Sequence, residues 1–301
     1  MTLSTPALTE LKWWIDNAHN CYGYITIPDP ACTLTTDACN EGWGAVYEDD
    51  STGGLWSSEE KAHHINYLEL LAVYFGMQTF LSNQKGKHIR LMIDNSTSVA
   101  LINNMGTSHS SKLNSLCKSV WEWAISRDLW LSAAHIPGKL NTRADLESRE
   151  NRSTHEWKLD PVELHNALHD LGVTPDIDLF ASRINNQFAT YVSYRPDPGA
   201  FAIDALSMSW TKLDFYAFPP FSVIPHVLKK IQEDRASGIL VMPNWPTQAW
   251  YPKAMKLLTR PPVSLKPHRK LLSLPHQPLK THQLWKKLNL LVCHLSGKVS
   301  T

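Results

Sequence analysis

The sequence predicts an α/β protein in two parts. A mixed five-stranded sheet with flanking helices is expected over residues 31–150, followed by a smaller α/β domain over residues 155–255. Short apolar and threonine-rich runs alternate with amphipathic stretches at helical spacing, so strands and crossover helices share one sheet. Four acids, Asp37, Glu69, Asp94 and Asp145, fall at the ends or edges of these elements. A second round of strand, loop, helix and strand begins near residue 175, in doubly wound order.

Residues 1–30 hold an amphipathic start, Leu11-Lys-Trp-Trp14, then an extended Ile25-Thr-Ile-Pro28. Thr33–Ala38 alternates, Trp43–Tyr47 is apolar, and Gly53-Gly-Leu-Trp56 follows a polar turn, so a three-stranded meander is expected. Residues 60–82 read as a helix whose stripe is Ile65, Leu68, Ala72, Phe75 and Thr79, with Glu69 at the edge of that stripe. Residues 88–93 form a short buried strand that ends at Asp94. Helices follow at Ser96–Asn104 and His109–Arg127, then a strand rich in Trp and Leu at Leu129–His135. Asn141–Ser148 is a short helix presenting Asp145. Tyr47-Glu-Asp-Asp50 mimics a polymerase Tyr-x-Asp-Asp, but it precedes Ser-Thr-Gly-Gly and reads as hairpin turn chemistry. The chain before it is also too short for a polymerase palm.

In the second half, Pro161–Leu171 is helical and Pro175–Ala181 is a strand leading to a loop with Asn185. Asp204-Ala-Leu-Ser207, Phe215-Tyr-Ala-Phe-Pro219-Pro220-Phe221, a helix at Ile224–Glu233 and a strand at Gly238–Pro243 complete the pattern.

A lone strand-end Asp is more often a turn or cap than a ligand. The ordered set here, strand-Asp, helix-Glu, strand-Asp, helix-Asp with His135 ten positions before the last acid, is far more specific. Four clustered carboxylates cannot all stay ionised without a cation. Hard divalent ions prefer such oxygen ligands. Two ions about 4 Å apart stabilise both the attacking and the leaving oxygen of a phosphodiester.

That set, with Thr36-Asp37-Ala38, Gly42-Trp43-Gly44-Ala45, Asn66-Tyr-Leu-Glu69-Leu-Leu-Ala72, Ile93-Asp94-Asn95 and His135-Ile-Pro-Gly138 through Ala144-Asp145-Leu-Glu-Ser-Arg149, resembles the ribonuclease H domain of retroelement reverse transcriptases. The resemblance implies a ribonuclease H-like fold and Mg²⁺-dependent (or Mn²⁺-dependent) hydrolysis of the RNA strand of an RNA–DNA hybrid, with two ions. It implies Asp37, Glu69, Asp94 and Asp145 as metal ligands and His135 as the residue handling a proton or product release. Residues 155–255 are similar to phage-type adenine-N6 DNA methyltransferases, in which a strand-end Asp and an Asn-bearing loop flank the methyl donor. Asp178 and Asn185 match those positions. The base-gripping loop reads Phe218-Pro219-Pro220-Phe221, and Phe218 cannot accept a hydrogen bond from an exocyclic amine. A degenerate methyltransferase-like domain is therefore expected, with S-adenosylmethionine not expected as cofactor. The order of the two domains resembles DIRS-type retrotransposon polyproteins, and residues 1–30 would be the remnant of a reverse transcriptase connection region. The alternatives are a catalytically idle nucleic-acid-binding protein derived from such an element, or a DNA adenine methyltransferase.

The net charge of +1 hides an asymmetry. Residues 1–234 carry 18 Lys and Arg against 28 Asp and Glu, a net −10, whereas residues 235–301 carry 11 Lys and Arg and no acid. Lys266, Arg269, Lys270, Lys280, Lys286 and Lys287, interleaved with Pro, His and Trp285, make 256–301 a basic, Pro-rich tail suited to a phosphate backbone, DNA included. Reverse transcriptase or recombinase parts of the same element are the other expected partners. Five cysteines without Cys-x-x-Cys spacing argue against a disulfide framework or zinc site. No leader and no apolar run of spanning length is present, so an intracellular, membrane-free protein is expected, nuclear or cytoplasmic.

Overall fold

The computed structural model describes residues 3–20, 28–150 and 157–298. Helix α1 (Thr5–Asn17) carries Trp13 and Trp14 on its exposed surface and touches the rest of the chain through Glu10 and Lys118. The extended stretch expected at Ile25-Thr-Ile-Pro28 lies outside the described residues, Pro28 excepted.

Strands β1 (Cys32–Ala38), β2 (Gly42–Tyr47) and β3 (Asp50–Leu55) form the expected antiparallel meander. Glu48, in the two-residue turn between β2 and β3, takes φ 53°. Arg143 donates to the carbonyl oxygens of Glu48 and Asp49 at 3.3 and 2.7 Å, so Tyr47-Glu-Asp-Asp50 is a hairpin turn. The chain continues through α2 (Ile65–Phe80), β4 (His88–Ile93), α3 (Ser96–Asn103), α4 (Ser111–Ile125), β5 (Trp130–His135) and α5 (Thr142–Arg149). Helix α4 starts later than the pattern suggests because Ser110 Oγ accepts from the Leu113 amide and caps it there. The five strands stand in the order β3-β2-β1-β4-β5, with β1, β4 and β5 mutually parallel, so the sheet is mixed as expected.

Helix α2 buries Leu68, Leu70, Leu71, Ala72, Val73, Phe75 and Met77 in a core that it shares with this sheet and with α4. Gly76 lets it come close: a Cβ there would lie 3.1 Å from Ala45 and 3.2 Å from Thr36. Helix α5 docks differently. Only Ala144 and Ser148 on it are buried, and Leu146 is 68% exposed. It lies on a glycine face of the meander, where a Cβ on Gly44 would sit 2.1 Å from the Ala144 carbonyl oxygen. The Gly42-Trp43-Gly44 stretch is thus a groove for a helix backbone.

The second half contains β6 (Lys158–Leu159), α6 (Pro161–Leu171), β7 (Ile177–Asp178), β8 (Thr190–Ser193), β9 (Ala202–Ile203), β10 (Asp214–Ala217), α7 (Ile224–Glu233), β11 (Ser237–Pro243), α8 (Tyr251–Lys256), β12 (Val263–Leu265), β13 (Leu272–Ser273) and β14 (Leu290–Ser296). Seven of the strands form one sheet in the order β12-β14-β11-β10-β7-β8-β9. Strands β7 to β11 run parallel, and β14 runs antiparallel between β11 and β12. Alternate residues of β11 serve two cores. Leu240 and Met242 pack with Ile224, Val227, Leu228 and Ile231 of α7, and Ile239 and Val241 pack with Leu164, Ala167, Leu168 and Leu171 of α6. A sheet covered on both faces by helices is the arrangement expected for parallel strands.

The segment 256–301, expected as a basic Pro-rich tail, instead contributes two strands, β12 and β14, to this sheet, and β13, which pairs with β6 in a small second sheet. Buried on both faces, β11 needs a hydrogen-bonding neighbour on each side, and β14, buried along most of its length, supplies the outer one. The Lys, Arg and His residues at 266–287 sit in the excursion between β12 and β14. The folded second unit therefore extends well past residue 255.

Candidate metal centre

The acids meet where the elements end. Asp37 is the penultimate residue of β1, and Asp94 follows β4. The parallel register pairs Thr36 with Ile93, which sets the two carboxylates side by side. Glu69 comes from the second turn of α2. The start of that helix is tied to the end of β4 through Asn66 Oδ1, which accepts from Asn95 Nδ2 at 3.0 Å, while Asn95 Oδ1 caps α3 by accepting from the Ser98 amide at 3.0 Å. One carboxylate oxygen from each of Asp37, Glu69 and Asp94 lies within 4.8 Å of the other two.

Burial and mutual repulsion act together on this trio. Asp37 is 4% exposed and Glu69 5%. Burial pushes Asp37 up to about 6, opposed by the hydrogen bond from Ser148 and reinforced by the charges of Asp94 and Asp145. Glu69 rises to about 9, from burial first and then from Asp94 and Asp37. Half-buried Asp94 is also raised by burial, with His135 pulling the other way. Glu69 Oε2 is buried with no hydrogen-bond partner. A carboxylate cluster with an unsatisfied oxygen fits a hard divalent cation.

Asp145, the fourth expected ligand, stands outside the trio. Its charge reaches Asp37 and Asp94, but its Oδ1 accepts from Arg149 Nε at 2.6 Å, one helical turn on, and the side chain is 37% exposed. His135 ends β5 on the same side of the sheet. It is exposed, and its Nε2 lies 3.1 Å from the Asp94 carbonyl oxygen. Two residues not singled out as site residues from the sequence hold Asp37 in place. Ser148 Oγ donates to its Oδ2 at 2.6 Å, and Asn141 Nδ2 approaches its Oδ1 at 3.3 Å and donates to the Thr36 carbonyl at 3.1 Å. The signal was the spacing of Asn141, Ala144 and Ser148, which puts the N-cap residue of α5 and two residues of the helix on one side.

In the second unit, Asp178 is 2% exposed and raised to about 7, chiefly by burial. Its Oδ1 accepts from the Phe180 amide at 3.2 Å and its Oδ2 from the Gln187 amide at 3.1 Å, so both oxygens bind the loop that follows β7. Asn185 Oδ1 accepts from the Ser182 amide at 2.7 Å. Asn185 lines a cavity of about 530 Å³ with Leu179, Ser193, Asp204 and Pro220, and Trp43, Gly53, Leu55 and Glu150 of the first half form another part of its wall. The second-half residues lie at or just past the carboxyl ends of β7, β8, β9 and β10, on both sides of the point where the strand order reverses. Phe218 turns toward Phe221, which packs on Trp245.

No family model matches the chain, and no curated protein matches it. Among solved structures, the chain is similar to an RNase H1 from the archaeon Halobacterium salinarum, at 18% identity and TM-score 0.32, covering 38% of this chain and 91% of that one. It is similar to LC11-RNase H1 in complex with an RNA/DNA hybrid, at 18% identity and TM-score 0.31, with the same coverage. The foamy viral protease-reverse transcriptase in complex with an RNA/DNA hybrid is similar at 16% identity and TM-score 0.31, over 49% of this chain and 27% of that one. At such identities and TM-scores the activity has to be argued from the chain's own geometry.

Proposed function

We propose that this chain is a metal-dependent nuclease of the ribonuclease H type, hydrolysing the RNA strand of RNA–DNA hybrids within a retroelement-derived reverse transcriptase of the DIRS kind. One observation carries the reading: three buried or half-buried carboxylates from β1, α2 and the end of β4 bring their oxygens within 4.8 Å, and one of those oxygens is buried without a partner. Asp37, Glu69 and Asp94 would hold Mg²⁺ or Mn²⁺, and Asp145 would join them from α5 for a second ion. Divalent ions bound there stabilise the charge on the attacking and leaving oxygens of a phosphodiester.

The protein's own part is positioning. Ser148 and Asn141 fix the orientation of Asp37, and Asn66 with Asn95 fixes the helix that carries Glu69. Exposed His135 would turn toward the departing strand on releasing the Asp94 carbonyl oxygen. The basic excursion at 266–287 supports a role in holding the phosphate backbone. It touches the nuclease unit where the Ser58 amide donates to the Pro275 carbonyl oxygen at 3.2 Å, close to the segment that leads into α2. The doubly wound second sheet supports a methylase-like architecture. Phe218, with both Asp178 oxygens engaged by loop amides, favours a structural or nucleic-acid-docking role for it over methyl transfer. No helix among the described residues is long and apolar enough to cross a membrane.

The test is cleavage of a labelled hybrid by the purified chain. The expected result is Mg²⁺-dependent cutting of the RNA strand, lost in EDTA and in Asp94→Asn. Cutting that survives either treatment overturns the reading.

A further inference from the structure

Helix α5 carries Asp145 and Ser148, yet little apolar surface holds it. It is eight residues long and buries only Ala144 and Ser148. So short a helix is not stable alone, and its position must come from tertiary ties. Some come from the nuclease unit. Ser51 Oγ donates to Glu147 Oε1 at 2.7 Å, Arg143 caps the hairpin turn, and Cys39 Sγ lies 3.1 Å from the Ser148 carbonyl oxygen.

Another comes from the second unit. Arg195, in the loop after β8, places Nη1 3.3 Å from Glu147 Oε2 and 3.3 Å from Glu150 Oε2. A cation there also suits the carbonyl end of the helix.

The loop that presents Arg195 is anchored on both sides. Thr52 Oγ1 of β3 donates to the Pro196 carbonyl oxygen at 2.5 Å, and Asp197 Oδ2 accepts from the Arg183 amide at 2.5 Å and the Tyr191 hydroxyl at 3.0 Å. The Arg183 guanidinium then crosses to the nuclease unit. It meets Glu60 with two parallel bonds of 2.7 and 3.0 Å, donates to the Leu55 carbonyl at 3.1 Å and lies 4.2 Å over the Phe75 ring. The side chains of Arg183 and Glu60 are only 19% and 20% exposed, so this pair is partly desolvated and geometrically specific. Phe75 belongs to α2, the helix that delivers Glu69. A bolt at Arg183 thus fixes the second unit against one ligand-bearing helix, and a strut at Arg195 reaches the other.

We propose that the second unit is a structural part of the nuclease centre, and that Arg195 is a positioning residue for Asp145, acting through Glu147 of α5 and Glu150 at its C-cap. The functional half of this inference rests on the nuclease reading. The structural half does not.

The test uses the full chain with Arg195→Ala and Arg195→Lys, in three measurements: amide hydrogen exchange across 142–149, Mn²⁺ affinity by electron paramagnetic resonance, and the Mg²⁺ concentration for half-maximal hybrid cleavage. Partly exposed ion pairs are individually weak, so the expected change is about fivefold. Arg195→Ala should speed exchange in α5 by about that factor while β1 and β4 stay protected. It should weaken Mn²⁺ binding and raise the Mg²⁺ requirement similarly, with a smaller change in kcat at saturating metal. Arg195→Lys should recover much of the loss. Unchanged exchange in α5 overturns the brace, and a loosened α5 with unchanged metal affinity overturns the positioning role. If the native chain does not cut hybrids but the exchange and Mn²⁺ effects appear, the nuclease reading falls and the brace stands.

Discussion

Asp37 and Asp178 are both buried carboxylates at or near the end of a parallel strand, and burial raises both. Their oxygens are used in opposite ways. Asp178 spends both on the amides of Phe180 and Gln187, which close the loop after its own strand. Asp37 is held by the side chains of Ser148 and Asn141 beside two further acids, one of which keeps a buried oxygen without a partner. A buried acid is therefore not by itself a site. The targets of its oxygens separate a structural carboxylate from one left available to a cation.

The sharpest way to break this contrast is to neutralise one acid of the trio. Asp94→Asn should lower hybrid cleavage about a thousandfold or more and weaken Mn²⁺ binding. Its metal-free melting temperature should stay level or rise, because repulsion among the carboxylates falls. A clear drop in metal-free stability would show that Asp94 is structural in the way Asp178 is.

Asp178→Ala should do the reverse. Two part-buried loop amides lose their acceptor, so calorimetry should show destabilisation of about 2 kcal/mol with Mn²⁺ binding unaffected. A variant as stable as the native chain would erase the distinction.

The pH dependence of metal-free stability sharpens it further. The folded-state values of Asp37 and Glu69 lie above their ordinary ones, at about 6 and about 9. The folded form thus binds protons that the unfolded form has released. This contribution is complete below about pH 4 and is lost as pH rises through 6 and then 9. Chemical denaturation in EDTA should show stability falling by at least about 2 kcal/mol between pH 5 and pH 9. Mg²⁺ should restore part of it, and Glu69→Gln should flatten the upper half of the curve. Stability that rises over this range would contradict the repulsive trio.

The smallest effect is expected at His135. His135→Ala should slow turnover about tenfold with KM for the hybrid unchanged, below the 10²–10⁴ of a general acid or base, since product departure is the step affected. An equal loss in hybrid binding would place it in the binding surface instead.

The acids were legible because each rides on a local signal: a strand end for Asp37 and Asp94, an amphipathic helix for Glu69, and a short helix for Asp145. Arg149, one turn beyond Asp145, was equally visible, but its hold on Asp145 was not, because the choice among rotamers depends on the surrounding charges. In the second half the strand that carries Asp178 and the helix Ile224–Glu233 were readable, whereas its neighbour Thr190–Ser193 and the place of 290–296 were not. The apolar run at 290–296 follows a long basic and Pro-rich excursion, and only the folded sheet, where it pairs with β11 on one side and β12 on the other, gives it a place.

Over residues 31–150 the sequence by itself determined which elements form and which acids stand at their ends, because hydrophobic period and turn chemistry act over a few residues. Tertiary structure alone decided which acids meet, what each oxygen binds, and that Arg195, 45 residues beyond Glu150, reaches back to α5. Those outcomes depend on burial and pairing between distant segments, and no local pattern encodes them.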